Sequence, residues 1–177
     1  MKTGKKLLVV VDMQNDFIYG RLGSKEAQEI VPTVREKIRH WDGDIMFTMD
    51  SHTLPLKDTF ENQVIRPHCI EETEGWKLVY DIKEIDKEHP GQSIKVKEKY
   101  NRFGITRGSV TRYIDYDYIE FVGTCTNICV ISNALIARSE NPYAEIHIDA
   151  NCCAGTSPEM HEEALNVMSS CLIYVDR

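Results

Sequence analysis

A chain of 177 residues, 42% hydrophobic and 28% charged, holds one domain with a buried core and little more. Its formal net charge of −7 argues against general affinity for nucleic-acid phosphates or anionic membranes, which leaves small molecules and proteins as partners. Six cysteines in a chain too large for a disulfide scaffold read as free thiols.

The N-terminus, Met1 to Lys6, is basic, but the apolar run behind it is short and meets Asp12 and Asn15, unlike a cleaved export signal. No other stretch is long enough to span a bilayer, so a cytoplasmic protein is expected. That run, KKLLVVVD from Lys5 to Asp12, has the continuous apolar character of a strand covered on both faces. Behind Pro32, Ile30, Val34, Ile38 and Trp41 share one helical face. A second strand, GDIMFTMD, runs from Gly43 to Asp50. From Ser51 to Gly91 the rhythm breaks, with Pro55, Pro67 and Pro90 and few periodic positions, and a loop of that length in a compact domain is usually functional. Strands resume at SIKVKE (Ser93 to Glu98), YIEFVG (Tyr118 to Gly123), AEIHIDA (Ala144 to Ala150) and CLIYVD (Cys171 to Asp176), the less apolar ones being expected nearer a sheet edge. Between them, NICVISNALIARS reads as a mostly buried helix, and Ser157 with Pro158 opens another carrying Met160, Ala164 and Met168. Such alternation predicts a parallel sheet with helices on both faces, in one domain over residues 1–177.

In open α/β sheets ligands bind beyond the carboxyl ends of the strands. Asp12, Asp50, Lys97 and the cysteine turn VGTCTNICV are expected there, so that a carboxylate, an amine and a thiol from separate strands share one crevice. Cys129 falls in the first turn of its helix, where free N–H groups and the positive dipole end favour a thiolate, and Lys97 adds a full charge. Asp12 is placed to take the thiol proton, and the N–H groups of Cys125 and Cys129 to bind an oxyanion. Plainer roles exist for each: Asp12 as a turn cap, Lys97 as a solvated lysine within KVKEK, and Cys125, Cys152, Cys153 and Cys171 as small buried apolar residues. Cys125 and Cys129 lack the spacing of a C-x-x-C metal or redox unit.

A metal site is a second possibility. Asp50 and His52 lie two apart beyond a strand, His68 lies in the irregular segment, and Glu61 between them is a fourth candidate ligand. Carboxylates with two imidazoles suit zinc, iron or manganese. The alternative is that Asp50 and His52 satisfy turn backbone while His68 packs beside Pro67.

Together, VVVDMQNDF, KEKYNRFG and VGTCTNICV resemble, in order and over nearly the whole chain, the isochorismatase-like cysteine hydrolases, and within them the nicotinamidases. The resemblance implies a three-layer α-β-α fold with a six-stranded, mostly parallel sheet. It also implies a catalytic set of Asp12, Lys97 (six before Phe103) and Cys129, and a non-proline cis peptide between Thr124 and Cys125. Phe17, Ile65 and Tyr100 become the substrate-facing residues, and Asp50, His52, His68 and Glu61 the ligands of a divalent metal, zinc before iron or manganese. The implied reaction is hydrolysis of a small-molecule amide, nicotinamide first, in the salvage of NAD, by a homo-oligomer with neither nucleic acid nor membrane as partner. Ile65 stands where nicotinamidases often carry an aromatic residue, and Asn101 and Arg102 stand where small residues are common. Two rivals follow: a related family hydrolase acting on another small amide or N-carbamoyl compound, and a catalytically silent member that binds a metabolite.

Overall fold

The computed structural model describes residues 4–54, 60–79, 84, 94–100 and 113–177, with the backbone alone for 94–100. Its sheet has six strands: β1 (Lys6–Val11), β2 (Asp44–Asp50), β3 (Ile94–Tyr100), β4 (Tyr118–Thr124), β5 (Glu145–Ala154) and β6 (Tyr174–Asp176). They lie in the order β3-β2-β1-β4-β5-β6, and every pairing is parallel. The two edge strands, β3 and β6, are among the less apolar runs, as expected of strands covered on fewer sides.

Period-two alternation sorts the central strands onto two cores. Leu7, Val9 and Val11 join Phe121, Ile146 and Ile148 on one face. There they meet α5 (Ile131–Glu140), through Ala134 and Ala137, and α6 (Pro158–Ser170), through Ala164, Leu165 and Met168. Leu8 and Val10 join Ile45, Phe47 and Val122 on the other, under α2 (Lys25–Glu29) and α3 (Val31–His40), which contribute Ala27, Val34 and Ile38. Met160 is exposed instead of inward-facing, because the stripe of α6 runs through Leu165. Trp41 ends α3 as its cap, its indole N–H donating to the Asp44 carbonyl at 3.1 Å. The Lys37 ammonium on α3 reaches Glu120 at 2.6 Å and Asp149 at 2.7 Å, tying that helix to β4 and β5. All six cysteines are free. Among the described residues no helix is long and apolar enough to cross a membrane.

The chain builds outward from β1 through β2 to β3, then returns to start β4 on the other side of β1. The crevice between β1 and β4 is therefore the point where the winding reverses, and loops leaving the two strands part there to leave a cleft. Their close approach needs Gly123: its φ is +116°, and an added Cβ would overlap the Val11 carbonyl oxygen. Gly123→Ala is expected to lower the unfolding free energy by roughly 2–4 kcal/mol, read from urea denaturation, since both strained backbone and overlap oppose it.

Candidate active site and metal group

Asp12 follows β1 directly, is fully buried and has a left-handed backbone with φ of 48°. Few non-glycine residues adopt that conformation, and this one is gripped on all sides. Its N–H donates to Thr48 Oγ1 at 3.2 Å, the Thr48 hydroxyl donates to Asp12 Oδ1 at 2.7 Å, and the Thr124 hydroxyl donates to the Asp12 carbonyl at 3.1 Å. Thr48 on β2 and Thr124 on β4 thus hold it from both neighbouring strands.

β4 ends in a cis peptide bond between Thr124 and Cys125, as the resemblance implies. A π-helical turn, Thr126–Val130, follows and leads into α5. The Cys125 carbonyl accepts from both Ile128 N–H (3.0 Å) and Val130 N–H (3.1 Å), the second bond spanning five residues. Cys129 is buried in this turn, near enough to Asp12 for the carboxylate charge to bear on its thiol. Burial, reinforced by the Asp12 charge, pushes the thiol well above its ordinary range. That direction runs against the thiolate expected of a helix start.

The metal group is assembled by docking an irregular segment onto the polar run after β1. Asn15 and Asp16 donate their N–H groups to the carbonyls of Lys77 and Gly75, both at 2.9 Å, and the Cys69 N–H donates to Asp16 Oδ2 at 2.8 Å. His52 and residues 69–71 pair through His52 N–H to the Cys69 carbonyl (3.0 Å) and Glu71 N–H to the His52 carbonyl (2.8 Å). His68 is thereby carried against β2. Gln14, fully buried, locks the assembly: its amide donates to the carbonyls of Asp50 (2.9 Å) and Trp76 (2.7 Å), and its oxygen accepts from Asp50 N–H (2.8 Å).

Asp50, His52, Glu61 and His68 each offer a ligand atom, all within 4.8 Å of one another. Asp50 Oδ2 lies 3.1 Å from His52 Nε2 and 3.0 Å from His68 Nε2, and Glu61 Oε1 lies 3.8 Å from His68 Nε2. His68 Nδ1–H donates to the Arg66 carbonyl at 2.8 Å, which turns the Nε2 lone pair toward the carboxylates as a metal ligand requires. Burial opposes a charged Asp50, yet His52 and His68 outweigh it and hold its carboxyl below the usual range. Burial and the Asp50 charge push Glu61 up. Two imidazoles and two carboxylates crowded together with like charges opposed fit a divalent cation.

One cavity of about 320 Å³ joins the two groups. Cys129 and Cys125 line one end, Asp50, Glu61 and His68 the other, with Phe17 and Ile65 among the apolar walls. Phe17 sits edge-on to His68 at 5.5 Å. Lys97 lies within β3, its backbone opposite Phe47, rather than just beyond a strand, and Tyr100 ends that strand opposite Asp50. The expected roles of their side chains, and of Asn101 and Arg102, lie outside the described residues. Sequence reasoning missed Gln14, Asp16, Thr48 and Thr124; a dense polar run straight after an apolar strand marked the first two, and nothing marked the threonines.

An isochorismatase domain matches residues 6–176. The chain belongs to the isochorismatase family. Its sequence is 27% identical over 173 residues, 92% of this chain and 93% of the other, to an uncharacterized isochorismatase family protein PncA of Bacillus subtilis (strain 168). The crystal structure of nicotinamidase/pyrazinamidase PncA from Bacillus subtilis superposes with a TM-score of 0.84 at 27% identity, covering 98% of this chain and 100% of that one. A Pyrococcus horikoshii pyrazinamidase in complex with zinc gives 0.79 at 27% identity, covering 98% and 99%.

Titration of this isochorismatase-family chain with zinc, followed by metal analysis, is expected to give a single bound ion per chain. Gln14→Leu, which frees the Asp50 backbone without removing a ligand, is expected to weaken it by roughly 10- to 100-fold, and His68→Ala by more.

Proposed function

We propose that this chain, a hydrolase of the isochorismatase family, cleaves the carboxamide of nicotinamide with water to give nicotinate and ammonia. The observation that carries the reading is that Cys129, whose thiol feels the Asp12 charge, lines the same cavity as Asp50, Glu61 and His68, three of the four candidate metal ligands. The nicotinamidase and pyrazinamidase names of the two structural relatives, and the zinc of the second, support the choice of substrate and metal.

In this reading Cys129 sulfur attacks the carboxamide carbon as its proton passes to Asp12. A protonated thiol needs such an acceptor nearby, and Thr48 keeps the carboxylate aimed. The N–H groups of Cys125 and Cys129 receive the charge that develops on oxygen. Asp12 then returns the proton to nitrogen, the C–N bond breaks and ammonia leaves. Water, deprotonated by Asp12, cleaves the thioester and restores the thiol. Lys97 is assigned to balance the Asp12 charge. Asp50, His52, Glu61 and His68 would hold the divalent cation, which when bound would supply a Lewis-acidic anchor for a ring nitrogen. Phe17 and Ile65 would flank the ring, and such placement contributes several kcal/mol of the barrier reduction, roughly.

Ammonia release from nicotinamide is the test. Wild type should turn over, while Cys129→Ala and Asp12→Asn should each lose at least about a thousandfold in kcat/KM. Full activity in Cys129→Ala removes the nucleophile. Inactivity of wild type on nicotinamide alongside turnover of another small amide or N-carbamoyl compound keeps the chemistry and rejects the substrate, the outcome that Ile65 in the wall makes worth including in the panel.

A further inference from the structure

His161 has no part in that chemistry, yet it lies on the inward stripe of α6, one turn before Ala164 and Leu165 and two before Met168. A polar ring on an apolar stripe calls for a partner. The partner is Thr126, whose hydroxyl lies 2.8 Å from His161 Nδ1. Thr126 is fully buried and opens the π-helical turn, between Cys125 and the remaining residues up to Cys129. Gly155 makes the approach feasible, since a Cβ there would stand 2.9 Å from the Cα, Cβ and N of His161.

The next residue forms a second latch. The Asn127 amide donates to Thr156 Oγ1 at 3.0 Å, and the Thr156 N–H donates back to Asn127 Oδ1 at 2.9 Å. Ala154, Gly155 and Thr156, which these latches join to the turn, line the catalytic cavity. A π-type turn is an uncommon backbone state, and here two N–H groups share one carbonyl, so its own hydrogen bonds define its orientation less tightly than α-helical ones. Side chains that grip it from outside therefore decide where its amides and its sulfur point.

We propose that His161 is a positioning residue: acting through the Thr126 hydroxyl, it fixes the turn that presents Cys129 and the N–H groups of Cys125 and Cys129. The inference rests on Cys129 as nucleophile and not on which amide is cleaved. His161 touches neither sulfur nor substrate. Burial depresses its ring against the pull of Glu162, with Arg177 acting in the same sense as burial, which favours the neutral ring. Its other neighbours in a cavity of about 350 Å³ include Glu26, Glu29 and Glu162. The Thr126 hydroxyl can donate to or accept from a neutral ring, so the latch holds in either tautomer.

The test uses the full chain with Thr126→Val, Thr126→Ser, His161→Leu, His161→Asn and the double variant Thr126→Val with His161→Leu. Turnover is measured together with the rate of Cys129 alkylation by iodoacetamide at fixed pH. Thr126→Val and His161→Leu should each lower kcat by roughly 10- to 100-fold with KM within about twofold, and change the alkylation rate in the same direction. The double variant should be no worse than the more affected single one, and Ser and Asn, which retain a polar atom at the contact, should recover most of the loss. Wild-type kcat and alkylation in Thr126→Val, losses that multiply in the double variant, or Asn as poor as Leu would each overturn the proposal. Should nicotinamide prove not to be the substrate, the alkylation series decides alone: an equal change in Val, Leu and double variants supports the latch, and unchanged rates reject it. Thr126→Val keeps the shape of the native residue, so it carries the comparison even where His161→Leu fails to fold.

Discussion

The parallel pairing of β1 with β4 is the constraint on which the site rests. Val11 can lie beside Gly123 because that glycine has no side chain and takes a backbone conformation other residues resist. Once the two strands are neighbours, whatever follows each of them must share a cleft. Asp12 and Cys129 become partners in this way although more than a hundred residues separate them. Their proximity is a property of strand order and not of any local motif. Thr48 and Thr124, reaching in from β2 and β4, convert proximity into a fixed orientation of the carboxylate.

The same loop also governs the metal group. Met13, Gln14, Asn15 and Asp16 bind the segment around His68 and Trp76 with backbone and side-chain groups alike, always to that segment's backbone, so irregular chain is held in place without a regular sheet. Gln14 satisfies three backbone partners at once, and a buried amide with both N–H donors and its oxygen engaged is rigid. Asp12 and Gln14, which holds the Asp50 backbone, are thus two residues apart on one gripped loop, and a disturbance to either should be felt by the other. The distance between Cys129 and the candidate ligands is set by this loop together with β1 and β4.

Much of this architecture was legible in the sequence, for a physical reason. Strands buried on both faces have to be continuous apolar runs, and reactive residues just past them must lie at the carboxyl edge of the sheet, so Asp12, Cys129 and the Asp50–His52 pair could be located from position alone. The upward push on the Cys129 thiol was not legible, because a helix-start argument assumes solvent that burial has removed around the sulfur. Met160 was misplaced because a helix admits two adjacent stripes with similar spacing, and only packing against the sheet selects Leu165. Gln14, Thr48, Thr126 and His161 were invisible for another reason. Each is an ordinary polar residue whose meaning comes from a partner 35 or more residues away. Composition and periodicity carry no record of such pairs.

The strand order also bears on how the chain is made. β1 leaves the ribosome first but belongs at the middle of the sheet, and the strand that closes its second edge begins only at Tyr118. Until then an all-apolar strand has one side of its backbone unpaired, the kind of surface that seeks other chains. Nascent protein of this topology should therefore be most prone to aggregate, and most dependent on chaperones, during synthesis of its middle third. Cys129 is translated after that interval, when the strand that ends before Asp12 already has β2 to lie against.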